Sequence, residues 1–192
     1  RLRSRAPSVA EVGVEYARRL LERAGCRYAV GEEYPGAGRC DHVRRRVLLG
    51  RDALGPGLLG VVVAAHEVGH AVLDAGFWAR RPLALGIVFA FGCLAVCMVG
   101  GALGWPLLAA AGGAGLAWAV VEGVVREIRA VLYACRTVRD DFPSEECRAW
   151  VAAETRAELV HVLLEGVGWF LVVIAVSFLL YGVGGGSYGG LG

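Results

Sequence analysis

Charge is missing from long parts of this chain. No Asp, Glu, Lys or Arg occurs in the 40 residues from 82 to 121, and a second uncharged stretch runs from 166 to 192. About 20 apolar residues let one helix cross a bilayer, so the first stretch has room for two. That length argues against a hairpin buried in a soluble core. Net charge is small, +2, which points away from nucleic acid as a partner. The six cysteines, Cys26, Cys40, Cys93, Cys97, Cys135 and Cys147, form no C-x-x-C pair. Cys93 and Cys97 lie in an apolar stretch, where a thiol serves as a small packing group. All six therefore read as reduced, and a disulfide framework is set aside. The chain begins at Arg1 without Met and has no signal-peptide pattern, so a trimmed start is expected. No internal repeat is visible.

What remains is strongly apolar. Hydrophobic residues make up 56% of the 192 residues, glycine reaches 29 and mean hydropathy is +0.54, above the usual balance of a soluble domain. Histidine is scarce, four in all. Two of the four fall in Ala64-Ala65-His66-Glu67-Val68-Gly69-His70-Ala71, an H-E-x-x-H motif inside an apolar run. On a helix, residues four apart share a face, so His66 and His70 can offer two imidazole nitrogens to one Zn²⁺. Glu67 is next to the first ligand, within reach of a water on the metal, and suits a general base better than a third ligand. Burying these three polar side chains among valines without partners would be costly. The motif therefore reads as a zinc site.

The rest of the chain falls into segments around that helix. Residues 1–57 form a small α+β unit. Ser8 and Glu11 predict a capping box opening a helix that closes at Gly25. Strands are expected at 26–30 and within 41–49, separated by a turn over 31–38. A short sheet ahead of a metal helix can align an extended peptide by main-chain pairing. The zinc-binding helix covers 58–76. Phe77-Trp78 and Arg80-Arg81 then mark a membrane interface. A transmembrane hairpin fills 83–125, broken at Gly104-Trp105-Pro106 and packed through small residues over 109–117. Cytoplasmic helices carrying the third ligand follow at 126–165, starting anew at Pro143-Ser144-Glu145-Glu146. A third membrane helix covers 166–183, and 184–192 is a glycine-rich tail. The fold class expected is a mainly α integral membrane protein, with a zincin-like helix, one integrated catalytic domain and three spans.

Sidedness follows from charge. A two-span hairpin returns the chain to the side it left. Arg80, Arg81, Arg126, Arg129, Arg136 and Arg139 all flank spans on that side, while the turn at 104–106 and the tail carry none. The positive-inside rule makes that side cytoplasmic. The expected location is thus the inner cell membrane, multi-pass, with the site facing the cytoplasm.

Catalytic zinc has three protein ligands and an open position. Glu122 and Glu127, just past the hairpin, are the candidates for the third, with His42 and His161 behind them. Periodicity does not choose between the two glutamates.

A family resemblance does choose. The chain resembles the neutral zinc metallopeptidases of the YugP type, membrane-bound bacterial proteins. More distantly it is similar to the membrane zinc peptidases that include HtpX and the CAAX-processing enzymes. The likeness covers most of the chain. It rests on Val14-Glu15-Tyr16-Ala17-Arg18-Arg19-Leu20-Leu21, on Asp41-His42 ahead of a strand, and on Val63 to Ala71 around the motif. Past the apolar spans the family carries a Glu-aromatic-x-Ala segment. Glu127-Ile128-Arg129-Ala130 aligns with it, and Ala134 fits a further small position. The resemblance implies Glu127 as the third ligand, with Glu122 the alternative, and a gluzincin-like ligand set. This chain departs from the family in having Val43-Arg44-Arg45 after Asp-His, where Tyr-Asp-Pro is usual. It also has Val131 where relatives place a small or acidic residue, and the family's N-terminal membrane helix does not appear after Arg1, as expected of a trimmed or shortened start. With no carboxylate at 131, Asp74 is the candidate to orient a ligand from beyond the metal. His42 and Tyr133 are the candidate donors to the reaction's oxyanion.

The function expected is a membrane-embedded zinc-dependent endopeptidase with one Zn²⁺. Its partners would be a peptide or membrane-protein substrate and the lipid bilayer; oligomeric state is left open. The alternative is a catalytically inactive zinc-containing membrane adaptor, which would have no need of an acid beside its first ligand.

Overall fold

A computed structural model describes residues 6–32, 38–73 and 83–185. The chain is mainly helical, with a small three-stranded sheet. In order, the elements are α1 (Gly13–Arg23), β1 (Ala29–Glu32), β2 (Arg39–Asp41), β3 (Arg46–Leu49), α2 (Leu58–Leu73), α3 (Leu83–Ala102), α4 (Pro106–Asp141) and α5 (Glu145–Gly185). They fall into two compact units, Arg1–Arg81 with Arg126–His161, and Pro82–Val125 with Val162–Gly192.

The first unit is built on α2. Its turns are apolar on every side, so it needs cover all round. Leu58, Val61, Ala64, Ala65 and Val68 are fully buried, joined in one core by Tyr16 and Leu20 of α1 and by Val47 and Leu49 of β3. Each such burial of a large side chain is worth about 1.5–3 kcal/mol. Glycine sets the spacing between helices: a Cβ on Gly13 would meet the Gly60 carbonyl oxygen at 2.5 Å, so α1 and α2 touch backbone to backbone.

The capping box does not form. Helix α1 starts at Gly13, with Val12 in the N-cap position and no side-chain cap. The Glu11 carboxylate accepts instead from Arg19 at 2.9 Å. Backbone pairing explains the late start: Leu58 N–H donates to Pro7 O and Val12 bridges Pro56, which holds this segment out of the helical conformation. The other end matches expectation. Gly25 takes φ +66°, Gly25 N–H donates to Glu22 O and Cys26 N–H to Leu21 O, a Schellman closure that a left-handed glycine allows.

In the sheet, β3 is central, parallel to β1 and antiparallel to β2. Strand β1 begins later than expected, at Ala29, and the 41–49 stretch divides because Asp41 caps a turn. Its Oδ1 accepts from Val43 N–H at 3.0 Å and from Arg44 N–H at 2.9 Å.

The second unit holds α3, residues 106–125 of α4 and residues 162–185 of α5. Its helices meet through glycines: a Cβ on Gly112 would lie 2.5 Å from Cys93 O and Cys97 N, and one on Gly115 would lie 2.6 Å from the Cys93 sulfur. All six cysteines carry free thiols.

The segment limits expected at 125/126 and 165/166 fall inside unbroken helices of 36 and 41 residues, while the two units divide at 125/126 and 161/162. Changes in hydropathy mark a change of surroundings, not of backbone, and no proline interrupts either helix after its first residue. The turn at Gly104-Trp105-Pro106 is real, with Gly104 at φ +68° and Pro106 opening α4, where its missing N–H costs nothing. Ser144 caps α5, its Oγ accepting from Cys147 N–H at 3.3 Å, and Glu145 and Glu146 favour the positive helix end.

Two helices, α4 and α5, are long and apolar enough to span a membrane; the apolar stretch 88–102 is shorter. Only 6% and 11% of the apolar windows of α4 and α5 is buried within the chain, unlike the core helix of a soluble protein. Asp74, Phe77-Trp78, Arg80-Arg81, residues 33–37 of the expected turn and the end of the tail lie outside the described residues.

Candidate metal centre

Helix periodicity brings His66 and His70 together. Their Nε2 atoms are 3.2 Å apart, with the rings edge to face. The third group arrives from α4. A Cβ on Gly69 would stand 3.2 Å from the Ala130 Cα and carbonyl oxygen and 3.1 Å from Tyr133 Cδ1. Because Gly69 has no side chain, α4 crosses α2 between the two histidines at near-backbone contact. Glu127, one turn before Ala130, then reaches both rings. Its Oε2 lies 3.3 Å from His66 Nε2 and 3.5 Å from His70 Nε2.

These three separations test whether an ion fits. Donor atoms about 2.0–2.1 Å from a tetrahedral Zn²⁺ stand roughly 3.3 Å from one another. Separations of 3.2, 3.3 and 3.5 Å match the three edges of such a face. Two imidazoles and a carboxylate are also the donor chemistry that zinc takes. Among the described residues this is the group of His, Cys, Asp or Glu side chains close enough to hold a metal ion. Burial pushes the Glu127 carboxyl upward. Hydrogen bonds and charge from the two imidazoles outweigh it and hold the group well below the usual carboxylate range. The Glu127 side chain is still 46% exposed, so the cluster is open on one side, as a site that admits a further ligand must be.

Glu67 is buried and faces the sheet. A Cβ on Gly38 would lie 3.4 Å from Glu67 Cγ and 3.2 Å from Leu48 O, and Gly38 takes φ +96°. Only glycine fits there without strain, and it sets the start of β2 against the acid. Strand β2 lies at one end of the strand order, paired with β3.

The remaining candidates are elsewhere. Glu122 and His161 are not members of the cluster. His42, in the turn after β2, has its Nδ1 3.1 Å from the Tyr28 hydroxyl and 3.9 Å from the Cys40 sulfur. The Tyr133 ring covers Gly69 while its hydroxyl bonds to Thr137; burial raises its pKa.

Sequence reasoning missed what supports the cluster. Gly69 and Gly38 act through the close approaches described above, for which the only signal was a glycine inside an otherwise valine-rich helix and another at a strand start. Asp141 ends a charged stretch that closes α4. It accepts from the Tyr16 hydroxyl at 3.0 Å and from Arg23 at 3.0 and 3.2 Å, with Arg19 at 3.8 Å. An acid in the last turn opposes the helix dipole, a local misfit that tertiary partners offset here. The bonds tie the end of α4 to α1, and α1 is tied to α2 at Gly13, so Glu127 is braced at both ends.

Comparison with protein-family models, with curated proteins and with solved structures finds no match to this chain.

Proposed function

We propose that this chain is a membrane-embedded zinc-dependent endopeptidase. The observation that carries the reading is the face formed by His66 Nε2, His70 Nε2 and Glu127 Oε2, spaced as three ligands of one tetrahedral ion. Glu67, the residue after His66, is buried. The resemblance to the neutral zinc metallopeptidases points the same way. A bound Zn²⁺ would supply a Lewis acid and lower the pKa of a water to near neutrality.

The chain's own residues would do the rest. The Glu67 carboxylate takes a proton from the attacking water and returns it to the leaving amine nitrogen. Its burial keeps bulk water from competing for that proton. An extended peptide would be aligned by main-chain pairing with the small sheet ahead of the metal helix. Main-chain pairing is indifferent to side chains, so this arrangement sets register before it sets specificity.

The apolar unit would insert as three spans, with α3 joining α4 and α5. By the positive-inside rule, the arginines that flank the spans favour a cytoplasmic position for the His66, His70 and Glu127 cluster. Substrates would then be membrane proteins or their exposed tails, reached where they leave the bilayer.

Zinc per chain in detergent-purified protein tests the reading. About one zinc is expected in the parent and in Glu122→Ala, and a large loss in Glu127→Ala. A parent that holds no zinc and takes none up overturns it. Zinc retained without any peptide hydrolysis would favour the inactive adaptor.

A further inference from the structure

One end of the small sheet is crowded with arginines. Ala29 of β1 and Asp41 of β2 are both register partners of Arg46 in β3, so the start of β1, the end of β2 and the start of β3 lie together. Arg44, Arg45 and Arg46 are exposed there, and Arg27, also exposed, stands two residues before Ala29. The acid in this set, Asp41, uses its Oδ1 to hold the turn through the Val43 and Arg44 amides; its contact with the Arg44 guanidinium is loose, 4.0 Å.

The tip is built rather than slack. Arg45 takes φ +50°, a left-handed conformation uncommon for a long side chain, and its carbonyl accepts from Ala29 N–H at 2.9 Å. With Asp41 capping one side and β1 the other, the turn presents its arginines in a fixed arrangement. Among them Val43 is 58% exposed.

We propose that this tip is a docking site for an acidic phospholipid surface, the arginines meeting headgroup phosphates and Val43 entering between them. Guanidinium forks pair with phosphate oxygens in two-bond geometry. Four arginines against one aspartate leave a local charge of +3. An acidic peptide or a nucleic acid would use that charge but gain little from an exposed valine at its centre. A lipid surface uses both, charge at the headgroups and apolar burial just beneath them. The site is separate from the metal centre and does not depend on peptidase activity; it rests on the membrane reading of the apolar unit.

The test compares the full chain in nanodiscs of phosphatidylcholine alone with discs that also contain phosphatidylglycerol, by amide hydrogen exchange over residues 39–49. Each arginine at an acidic surface shifts a docking equilibrium by about fivefold. Exchange at the tip should therefore slow by about tenfold or more in the acidic discs and recover at roughly 0.5 M salt, where screening is strong. In Arg44→Gln/Arg45→Gln/Arg46→Gln the slowing should vanish while exchange in α1 and α2 stays unchanged, which shows the fold intact. Val43→Asp should weaken it with the arginines still present. Equal exchange in the two discs overturns the proposal, as does slowing that survives the triple substitution. Slowing produced by a polyglutamate peptide in neutral discs, and not by phosphatidylglycerol, makes the tip a protein-binding site and also overturns it. A chain that stays out of neutral discs yet binds acidic ones through these arginines supports the docking and overturns only the membrane-spanning reading.

Discussion

Helices α2 and α3 are both apolar along their length, yet their side chains meet opposite surroundings. In α2, Leu58, Val61, Ala64, Ala65 and Val68 are fully buried in the core shared with α1 and β3, while Leu59, Val62, Val63 and His66 are half-buried. In α3 most large described side chains are exposed, Val88, Phe89, Phe91, Val96, Met98 and Val99 among them, although Cys97 is buried. The same contrast runs along α4. Trp118, Val121 and Val125 are exposed, whereas farther on Ala130, Val131, Ala134 and Val138 are buried and Arg129, Arg136 and Arg139 are exposed. The first unit packs a core of apolar side chains, whereas in the second most of the described large apolar side chains are exposed. Apolar sequence therefore reports only that a segment avoids water. Where the shelter comes from depends on whether amphipathic partners exist, and only the first unit has them.

The largest effect that would sharpen this division is chemical. If function belongs to the unit that buries its own core, Glu67→Gln should keep its zinc and lose about 10²–10⁴ in peptide hydrolysis. Unchanged hydrolysis in a zinc-loaded variant would move the chemistry away from this acid.

Two leucines of similar exposure test the solvent directly. Leu171 in α5 is 58% exposed and Leu132 in α4 is 50%. Leu171→Asp should cost about 2.5–3.5 kcal/mol of insertion free energy if lipid covers it, while Leu132→Asp should stay within about 0.5 kcal/mol if water does. Membrane-insertion efficiency and thermal melting in detergent read the two. Equal tolerance would break the comparison.

Glycines offer a third, smaller contrast. Gly69→Val forces a side chain against the Ala130 backbone and should destabilise by about 1–3 kcal/mol. By lifting α4 it should also weaken zinc binding by roughly tenfold, as loss of a ligand's support does elsewhere. Gly168, in the second unit, has nothing within 4 Å of an added Cβ, so Gly168→Val should leave zinc binding unchanged.

The smallest effect is alkaline. Burial, and then the Asp141 charge, raise the Tyr16 phenol well above its ordinary pKa of 10.0. Below about pH 10 the phenol is neutral in both folded and unfolded chains, and its contribution is fully present. Above that, the unfolded chain releases the proton and the folded chain keeps it, so stability falls as pH rises. Tyr16→Phe should lose about 1–2 kcal/mol at neutral pH with the bond to Asp141, and should lack much of that alkaline decline in a melting-temperature profile.

How legible all this was in the amino acids depended on the range of each interaction. The H-E-x-x-H pair, the Gly25 helix closure, the Ser144 cap and the Gly104-Trp105-Pro106 break involve residues within a turn or two, and their chemistry is readable from neighbours alone. Ser8 and Glu11 misled because the backbone beside them pairs with residues 56–58, distant in sequence. The limits near 125 and 165 mark a change in hydropathy and in compact unit, though α4 and α5 run through them without a break. Periodicity left Glu122 and Glu127 equal, since both lie on the same helix at positions that a neighbouring helix could approach.

By itself, then, the sequence determined that two imidazoles share one helical face with an acid beside them, and that long segments avoid water. Those are consequences of spacing and composition. Only the tertiary structure brought Glu127 to the histidines, because that depends on how closely α4 can cross α2. Gly69 permits the contact, and Asp141 with Tyr16 and Arg23 holds the far end of the helix in line. Such contacts join residues far apart in the chain, where the energy of packing selects among arrangements that local preference leaves equivalent.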